Sequence, residues 1–190
     1  MGIIIGLLGG AGAGKSLAAK YLEQKYGAKR YSLAGPLKEF IGKTFDLTED
    51  QLHGSQLSKE TVDPRYNVTP RWLLQRAGTQ GFRGVFGEDF WIDYLLKKVK
   101  EDGPALAVCD DCRFINEAYG IHDKRGYLIR LENSRVVSSA DTTHQSEAEW
   151  SKCPYDFIIK HDGVTAQYLY NQLDYACSKM GITPTSLLTK

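Results

Sequence analysis

Short, uninterrupted apolar runs recur along the chain, separated by longer stretches of mixed polarity. Runs of this length that end at glycine or polar residues predict strands buried on both faces of a parallel sheet. Four segments carry the pattern, 3–8, 105–109, 127–131 and 157–159, and residues 28–32 are predicted to form a weaker strand. The sequence therefore predicts a five-stranded sheet.

Between these runs, apolar residues recur at helical spacing. The segment after Lys15 is amphipathic and ends at Gly27, a second helix is expected near 115–125, and a third lies close to the end of the chain. The apolar side of this last helix consists of Val164, Tyr168, Leu169, Leu173, Ala176 and Cys177. Strands that alternate with helices predict an α/β fold in which helices cover a parallel sheet.

Two stretches break the alternation. Residues 33–100 look helical, with one candidate helix at 70–80, whereas residues 133–155 are polar and rich in serine and threonine. We predict a single domain over residues 1–190. Its expected parts are a core of 1–32 and 101–190, a helical insertion at 33–100, and a connecting segment at 133–155.

With 25% charged residues and a formal net charge of +1 over 190 residues, the composition is ordinary for a globular protein. The absence of a polybasic tract argues against binding to a nucleic acid polymer. No apolar run reaches the roughly 18 residues that span a membrane. Residues 1–8 lack a basic leader and are interpreted as a buried strand, so we expect a cytoplasmic protein without membrane association.

Cys109 and Cys112 form a C-x-x-C pair, which suggests a zinc site or a redox site as alternatives. A zinc site needs a second close pair of ligands, whereas Cys153 and Cys177 are isolated in the sequence. We therefore interpret the pair as two thiols at the end of a buried strand.

The first apolar run leads into a glycine-rich loop that matches the pattern G-x-x-x-x-G-K-[ST]. Glycines let backbone N–H groups turn towards phosphates, and the N-terminus of the following helix adds partial positive charge. In this pattern Lys15 reaches the β- and γ-phosphates and Ser16 ligates Mg²⁺. The residues expected to bind ATP with Mg²⁺ are Gly10, Ala11, Gly12, Ala13, Gly14, Lys15 and Ser16. The dinucleotide pattern G-x-G-x-x-G is excluded, because Lys15 stands at its third glycine.

A carboxylate that assists Mg²⁺ is expected where a neighbouring strand ends. Asp110 and Asp111 follow the run at 105–109, and the pattern alone leaves open which of them faces the nucleotide. Phosphoryl transfer between two phosphorylated molecules also needs cations that bind oxyanions. The candidate arginines are Arg71, Arg76, Arg83, Arg113, Arg130 and Arg135.

Several runs resemble one family, and the resemblance extends over nearly the whole chain. Besides the loop they are LAGPLK at 33–38, TPRWLLQRAGT at 69–79, DCRFINEA at 111–118, HQSE at 144–147 and the turn that closes 156–163. In combination they resemble the bacteriophage deoxynucleoside monophosphate kinases, relatives of the nucleoside monophosphate kinases. The loop alone is generic, whereas DCRFINEA at 111–118 and HQSE at 144–147 are much more specific in combination.

The resemblance implies a P-loop kinase fold with an acceptor-binding helical insertion at 33–100 and a lid at 133–155. It implies transfer of the γ-phosphate of ATP to a deoxynucleoside 5′-monophosphate, in the host cytoplasm if a phage encodes the protein. Whether the protein forms a homodimer stays open.

The resemblance also assigns residues to the site. Those expected at the catalytic centre are Lys15, Asp111, Arg113 and Arg135, with Ser16 and Asp111 at the metal. Those expected on the acceptor side are Arg71, Gln75, Arg76 and Trp91. Trp91 comes from an aromatic set that is expected to be mostly core, with one or two members stacking on a base: Trp72, Phe82, Phe86, Phe90, Trp91 and Tyr94.

Two positions depart from the family pattern. Ile115 stands where proline is expected, and His161 stands where asparagine is expected in the closing turn. His144 and Glu147 are interpreted as residues that order the lid, since an anionic acceptor phosphate has little need of a catalytic base.

Two other functions stay open on the sequence. A P-loop kinase of a different small acceptor, such as a shikimate-like alcohol, would lack a base-stacking aromatic and phosphate-binding arginines on the acceptor side. A nucleotide-dependent switch would bind phosphates without producing ADP in response to an acceptor.

Overall fold

The computed structural model describes residues 2–135, 149–163 and 165–185. Its strands are β1 (Ile3–Leu8), β2 (Lys29–Tyr31), β3 (Leu106–Cys109), β4 (Tyr127–Asn133) and β5 (Phe157–His161). They form one parallel sheet in the order β2-β3-β1-β4-β5. The predicted α/β fold with a five-stranded parallel sheet is confirmed.

Helices connect the strands. They are α1 (Lys15–Tyr26), α2 (Gly35–Thr44), α3 (Glu49–His53), α4 (Gln56–Glu60), α5 (Pro70–Gln75), α6 (Gly84–Phe86), α7 (Phe90–Asp102), α8 (Ile115–Asp123) and α9 (Ala166–Lys179). A π-helical segment, Arg76–Arg83, follows α5, and a 3₁₀ turn, Trp150–Lys152, precedes β5. Among the described residues, no helix combines the length and the apolar character needed to cross a membrane.

Strands β4 and β5 each continue two residues beyond their predicted ends. The register pairs Glu132 with Lys160 and Asn133 with His161, and Lys160 Nζ lies 3.5 Å from Glu132 Oε2. Strand pairing is made by backbone hydrogen bonds and does not depend on apolar side chains. The strands therefore continue through polar residues that lie beyond the predicted apolar runs. Asn133 and His161 consequently stand at the carboxyl ends of their strands.

The chain packs as two compact units, Leu33–Trp91 and the remainder, which contains the sheet. In the sheet unit, one face of the sheet packs against α1 and α9. Its central residues, all buried, are Ile5, Leu7, Leu22, Leu169 and Leu173. Burial of this apolar surface is the main source of stability for the unit.

Polar contacts also join α1 to α9. Asp174 on α9 accepts hydrogen bonds from the hydroxyls of Tyr21 and Tyr26, both at 2.8 Å. Lys25 Nζ lies 2.7 Å from the same carboxylate. Burial alone would raise the pKa of Asp174, but these three donors outweigh it and hold the pKa below its usual value. Because α1 begins at the glycine-rich loop, the contacts help to fix the helix that supports the loop.

The unit Leu33–Trp91 is mainly helical. The helix predicted at 70–80 is α-helical only as far as Gln75, after which the chain continues as the π-helical segment. Asp63, in the loop before α5, is buried. It forms an ion pair with Arg65 at 2.7 Å and accepts a hydrogen bond from Gln51 at 2.9 Å, and these contacts stabilise the loop.

Candidate active site

The glycine-rich loop, residues 9–16, connects β1 to α1. Gly9, Gly12 and Gly14 have φ values of 146°, 75° and 91°, a range that residues with a side chain rarely adopt. At Gly9 a Cβ atom would also lie 2.6 Å from the carbonyl oxygen of Leu131. The backbone conformation of the loop therefore favours glycine at Gly9 and Gly14, which the sequence pattern specifies, and also at Gly12, which the pattern leaves open.

The N-terminus of α1 lies at the end of this loop. Within the described residues, α1 has no acidic residue in its first turn and no side chain caps its N-terminus. The first N–H groups of a helix have no partner inside the helix and carry partial positive charge. This end of α1 therefore offers backbone donors to an anion.

Lys15, the first residue of α1, is folded over the loop. Its Nζ donates hydrogen bonds to the carbonyl oxygens of Gly9 at 2.5 Å and Gly10 at 2.7 Å. The ammonium group is thus held where the loop and the helix N-terminus meet. A phosphate bound by the loop would lie within reach of this flexible side chain.

Ser16 contacts a carboxylate at the end of β3. Its hydroxyl donates to Asp110 Oδ2 at 3.3 Å, and Arg30 on β2 forms an ion pair with the same oxygen atom. Asp110 is only 8% exposed. The hydrogen bond to Asp110 outweighs desolvation and raises the pKa of Arg30, so the guanidinium remains a fixed positive charge beside the carboxylate.

The resemblance places Asp111 at the metal, and this assignment stays a prediction; in the structure Asp110 is the aspartate that contacts Ser16. Asp111 accepts hydrogen bonds from Ser32 Oγ at 2.5 Å and from Cys109 Sγ at 3.4 Å. Of the two aspartates that follow β3, Asp110 is the one with a hydrogen bond to Ser16.

Arg113 lies in the turn between β3 and α8, half-buried. The backbone N–H groups of Arg113 and Phe114 donate to Glu117 Oε2 at 2.8 and 3.0 Å. Glu117 is 3% exposed, and this capping fixes both the start of α8 and the path of the turn. The catalytic role of Arg113 stays a prediction.

Arg130 and Arg135 differ in their surroundings. The Arg130 guanidinium lies 5.1 Å from the Trp150 ring and 5.4 Å from the Tyr155 ring, and it donates to the Ser151 carbonyl oxygen at 3.0 Å. Arg135 is exposed, and its backbone N–H donates to Asn133 Oδ1 at 3.1 Å. Arg130 thus helps to pack the segment before β5, whereas the expected catalytic role of Arg135 stays a prediction.

Three residues of the sequence analysis lie outside the described part of the chain: His144, Glu147 and Val164. The interpretation of the first two as residues that order a lid stays a prediction.

Side chains that the sequence patterns did not indicate contact the loop from the sheet. Asn133 Nδ2 donates to the carbonyl oxygen of Gly12 at 3.3 Å, and His161 Nε2 donates to that of Ala13 at 3.0 Å. Trp150 also approaches the loop, since a Cβ atom on Gly10 would lie 3.5 Å from its ring.

A cavity of about 580 Å³ opens at the carboxyl ends of β4 and β5; we call it the β4–β5 cavity. It is lined by Glu132, Asn133, Ser134, Lys160, His161, Asp162 and Tyr168. Its volume is typical of small-molecule sites. Because Asn133 and His161 also contact the loop, the cavity lies directly beside the loop.

The predicted acceptor-side residues lie in the unit Leu33–Trp91. Arg71 Nη2 donates to Gln56 Oε1 at 2.6 Å, and its Nε lies 3.3 Å from Glu60 Oε1. Gln75, half-buried, ends α5. The guanidinium of Arg76 lies over the exposed ring of Trp72, 5.4 Å from its centroid.

Trp91 was expected on the acceptor side, a role that stays a prediction, and the structure places its side chain among buried residues. It is 7% exposed, and its indole N–H donates to the carbonyl oxygen of Gly78 at 3.2 Å. Phe82 and Phe90 pack against it at centroid distances of 5.0 and 4.8 Å. Trp91 is therefore a core residue. Trp72 is 44% exposed, so its ring is accessible to a ligand.

Burial raises the pKa of the Cys109 and Cys112 thiols well above the usual value. Thiols that stay protonated are poor metal ligands and poor nucleophiles. In the described part of the chain, no group of three or more histidine, cysteine, aspartate or glutamate side chains could hold a metal ion. The burial of both side chains agrees with their interpretation as two thiols at the end of a buried strand.

No protein-family model matches the chain. A protein of Acanthamoeba polyphaga mimivirus, named as a deoxynucleotide monophosphate kinase, is 35% identical to it over 186 residues, which cover 90% of this chain and 94% of the viral protein. The chain belongs to the deoxynucleotide monophosphate kinase family. The deoxynucleoside-5′-monophosphate kinase of Escherichia phage T5 is 26% identical to this kinase, over 91% of the chain and 89% of the phage protein.

Among solved structures, TT1252 from Thermus thermophilus matches the kinase with a TM-score of 0.53. The match covers 94% of this chain and 97% of TT1252 at 13% sequence identity. At that identity the likeness concerns the fold alone. The five-stranded parallel sheet, the glycine-rich loop after its first strand and the family membership together confirm the α/β P-loop kinase fold that the sequence predicted.

Proposed function

We propose that this kinase transfers the γ-phosphate of ATP in line to the phosphate of a deoxynucleoside 5′-monophosphate, with residues 9–16 holding the donor phosphates. One observation carries the proposal: the curled loop, the N-terminus of α1, Lys15 and the Ser16–Asp110 contact converge at one edge of the sheet. The names of the mimivirus and phage T5 relatives support the choice of acceptor.

The residues around Ser16 fit Mg²⁺. A hydroxyl and a carboxylate 3.3 Å apart are hard oxygen donors, and Mg²⁺ in phosphoryl-transfer sites binds one or two protein oxygens together with phosphate oxygens. Ser16 and Asp110 would hold the ion. When bound, it neutralises charge on the β- and γ-phosphates.

The side chains of the sheet unit then supply positioning and positive charge, which is most of what phosphoryl transfer demands. Lys15 turns from the loop carbonyls to the oxygens of the transferred phosphate. Loop N–H groups and the start of α1 hold the other donor phosphates. Arg113, at the turn after β3, stabilises the charge of the transition state, and closure of the predicted lid, 133–155, excludes water.

The β4–β5 cavity is proposed to hold the nucleoside part of ATP. It lies beside the loop, so a nucleotide whose phosphates occupy the loop can extend into it. Glu132 and Asp162 offer acceptors and Lys160 offers a donor along its wall, the groups needed to bind the polar edge of a base.

The acceptor is proposed to bind through the insertion at 33–100. Arg71 and Arg76 supply positive charge for the acceptor phosphate, Gln75 a hydrogen-bonding amide, and Trp72 an exposed ring for the base. In this proposal Trp72 replaces Trp91 as the stacking residue.

Arg71→Ala is expected to weaken the affinity for the preferred deoxynucleoside monophosphate about ten- to a hundredfold, the loss expected for a charge-assisted hydrogen bond. ATP affinity should change little, because the donor is assigned to the loop. Separate calorimetric titrations of the monophosphate and of a non-hydrolysable ATP analogue measure the two effects.

Glu60→Gln is the matched control, since Glu60 pairs with Arg71. If Arg71 serves only to hold Glu60, both variants should lose the same affinity. If Arg71 binds the acceptor, Glu60→Gln should keep the wild-type affinity or improve it. Equal weakening of ATP and acceptor by Arg71→Ala would exclude the assignment and leave Arg76 and Arg83 as candidates.

The overall reaction is tested by a coupled ADP-release assay across the common ribonucleoside and deoxynucleoside monophosphates, with shikimate as an alcohol acceptor. The proposal expects ADP release that depends on a deoxynucleoside monophosphate. ADP release only with the alcohol would favour a P-loop kinase of a different small acceptor. ADP release that does not depend on any acceptor would favour a nucleotide-dependent switch.

A further inference from the structure

His161, the last residue of β5, contacts both the glycine-rich loop and the turn that follows the strand. Its Nε2 donates to the carbonyl oxygen of Ala13 at 3.0 Å, and its Nδ1 accepts from the backbone N–H of Gly163 at 3.1 Å. One ring thus joins the loop to the 161–163 turn.

These two partners determine the tautomer of the ring. A carbonyl oxygen can only accept, so Nε2 must carry a hydrogen, and a backbone N–H can only donate, so Nδ1 must be free of one. The neutral Nε2–H form satisfies both bonds. The ring also packs on the loop, since a Cβ atom on Gly14 would lie 3.4 Å from His161 Nε2.

The bond to Ala13 fixes the direction of one peptide group of the loop. In a trans peptide the C=O and N–H groups point in opposite directions. A carbonyl of Ala13 held towards His161 therefore points the N–H of Gly14 away from the ring. Gly14 has a φ of 91°, and glycine has the greatest backbone freedom of any residue type. A hydrogen bond from His161 therefore limits the orientations that the Ala13–Gly14 peptide can adopt.

The peptide between Gly12 and Ala13 depends less on the hydrogen bond from His161. The N–H of Ala13 donates to the carbonyl oxygen of Gly10 at 3.3 Å within the loop itself, and Asn133 holds the carbonyl of Gly12 at 3.3 Å. Of these two peptide groups, His161 orients the one between Ala13 and Gly14.

We propose that His161 is a positioning residue for the donor phosphates, which holds the Ala13–Gly14 peptide so that the N–H of Gly14 donates to a phosphate oxygen. The inference rests on the proposed binding of ATP phosphates by the loop. Through its second bond, the same ring fixes the turn that lines the β4–β5 cavity, and so connects the phosphate and nucleoside parts of the donor site.

Two variants separate the two bonds of the ring. In His161→Gln the amide nitrogen reaches about as far as Nε2 and can still donate to Ala13. In His161→Asn the shorter side chain can accept from Gly163, as in an Asx-turn, but falls short of Ala13. Calorimetric affinities for inorganic triphosphate and for ADP, melting temperatures, and kcat and KM for ATP are measured for both.

The proposal expects His161→Asn to bind triphosphate and ADP about tenfold more weakly, by the same factor for both, because the lost contribution is made to phosphate alone. His161→Gln should stay within about threefold of wild type. Triphosphate binding by His161→Asn at the wild-type level would overturn the proposal. So would a loss confined to ADP, which would place the role at the nucleoside, or equal losses in both variants with lowered melting temperatures.

Lys15→Ala, measured with the same triphosphate, distinguishes a failure of the proposed loop function from a failure of the role of His161. If Lys15→Ala binds triphosphate as wild type does, the proposed function of the loop fails. If Lys15→Ala loses triphosphate affinity and His161→Asn does not, only the role of His161 fails.

Discussion

Replacement of Lys15 by alanine is expected to lower kcat by about 10²–10³-fold, the effect of removing one preorganised donor from a developing negative charge. The Nζ of Lys15 donates to the carbonyl oxygens of Gly9 and Gly10 at the start of α1, where it can transfer its hydrogen bonds to a phosphate. The loop keeps its glycines and the helix its N-terminus, so the fold should survive the substitution.

Steady-state kinetics with the preferred monophosphate and a thermal melt measure the two quantities together. Lys20→Ala is the matched control, because Lys20 is an exposed lysine on the same helix. It should keep wild-type turnover and stability. A folded Lys15→Ala variant with wild-type turnover would remove the glycine-rich loop from the reaction.

Asp110→Asn is expected to lower the apparent affinity for Mg²⁺ at least about tenfold and to reduce turnover at limiting Mg²⁺, because an amide keeps the shape of the carboxylate but loses its charge. Asp111→Asn should change the Mg²⁺ dependence much less, since Asp111 contacts Ser32 and Cys109. Activity is titrated with Mg²⁺ at fixed ATP. Calorimetry of ADP binding at several Mg²⁺ concentrations gives a readout without turnover.

Arg30→Gln tests whether such a loss comes from the ion pair and not from a metal site. Arg30 shares one oxygen of Asp110 with Ser16, so its removal should leave Mg²⁺ binding unchanged or strengthen it. If Arg30→Gln reproduces the defect of Asp110→Asn, the carboxylate acts by holding the arginine. If only Asp111→Asn impairs the Mg²⁺ response, the resemblance was right and the contact with Ser16 is not the functional one.

The fold class could be predicted because the signal is local and repeated. Each strand that contributes to the core is an apolar run, and the loop pattern depends on backbone requirements that only glycine meets. The ends of β4 and β5 could not be predicted, because Asn133, Lys160 and His161 are polar and their pairing is a backbone property. Asn133 and His161, which contact the loop, thus lay outside the predicted strands.

Other parts of the site depend on tertiary contacts that no sequence spacing encodes. The choice between Asp110 and Asp111 is set by the exact residue at which β3 ends. Arg30 lies on a three-residue edge strand, KRY, without an apolar signal. The burial of Trp91 depends on Phe82 and Phe90, and the helical spacing of aromatic residues does not say which ring of the set faces solvent.

Trp150 gives the protein an intrinsic optical probe. The chain has three tryptophans, of which Trp72 and Trp91 belong to the unit Leu33–Trp91, whereas Trp150 lies beside Gly10 and under the guanidinium of Arg130. Indole emission responds to nearby charge and polarity. Trp72→Phe and Trp91→Phe would leave a single fluorophore next to the loop, so that occupation of the loop by an anion could be followed in real time without an attached dye.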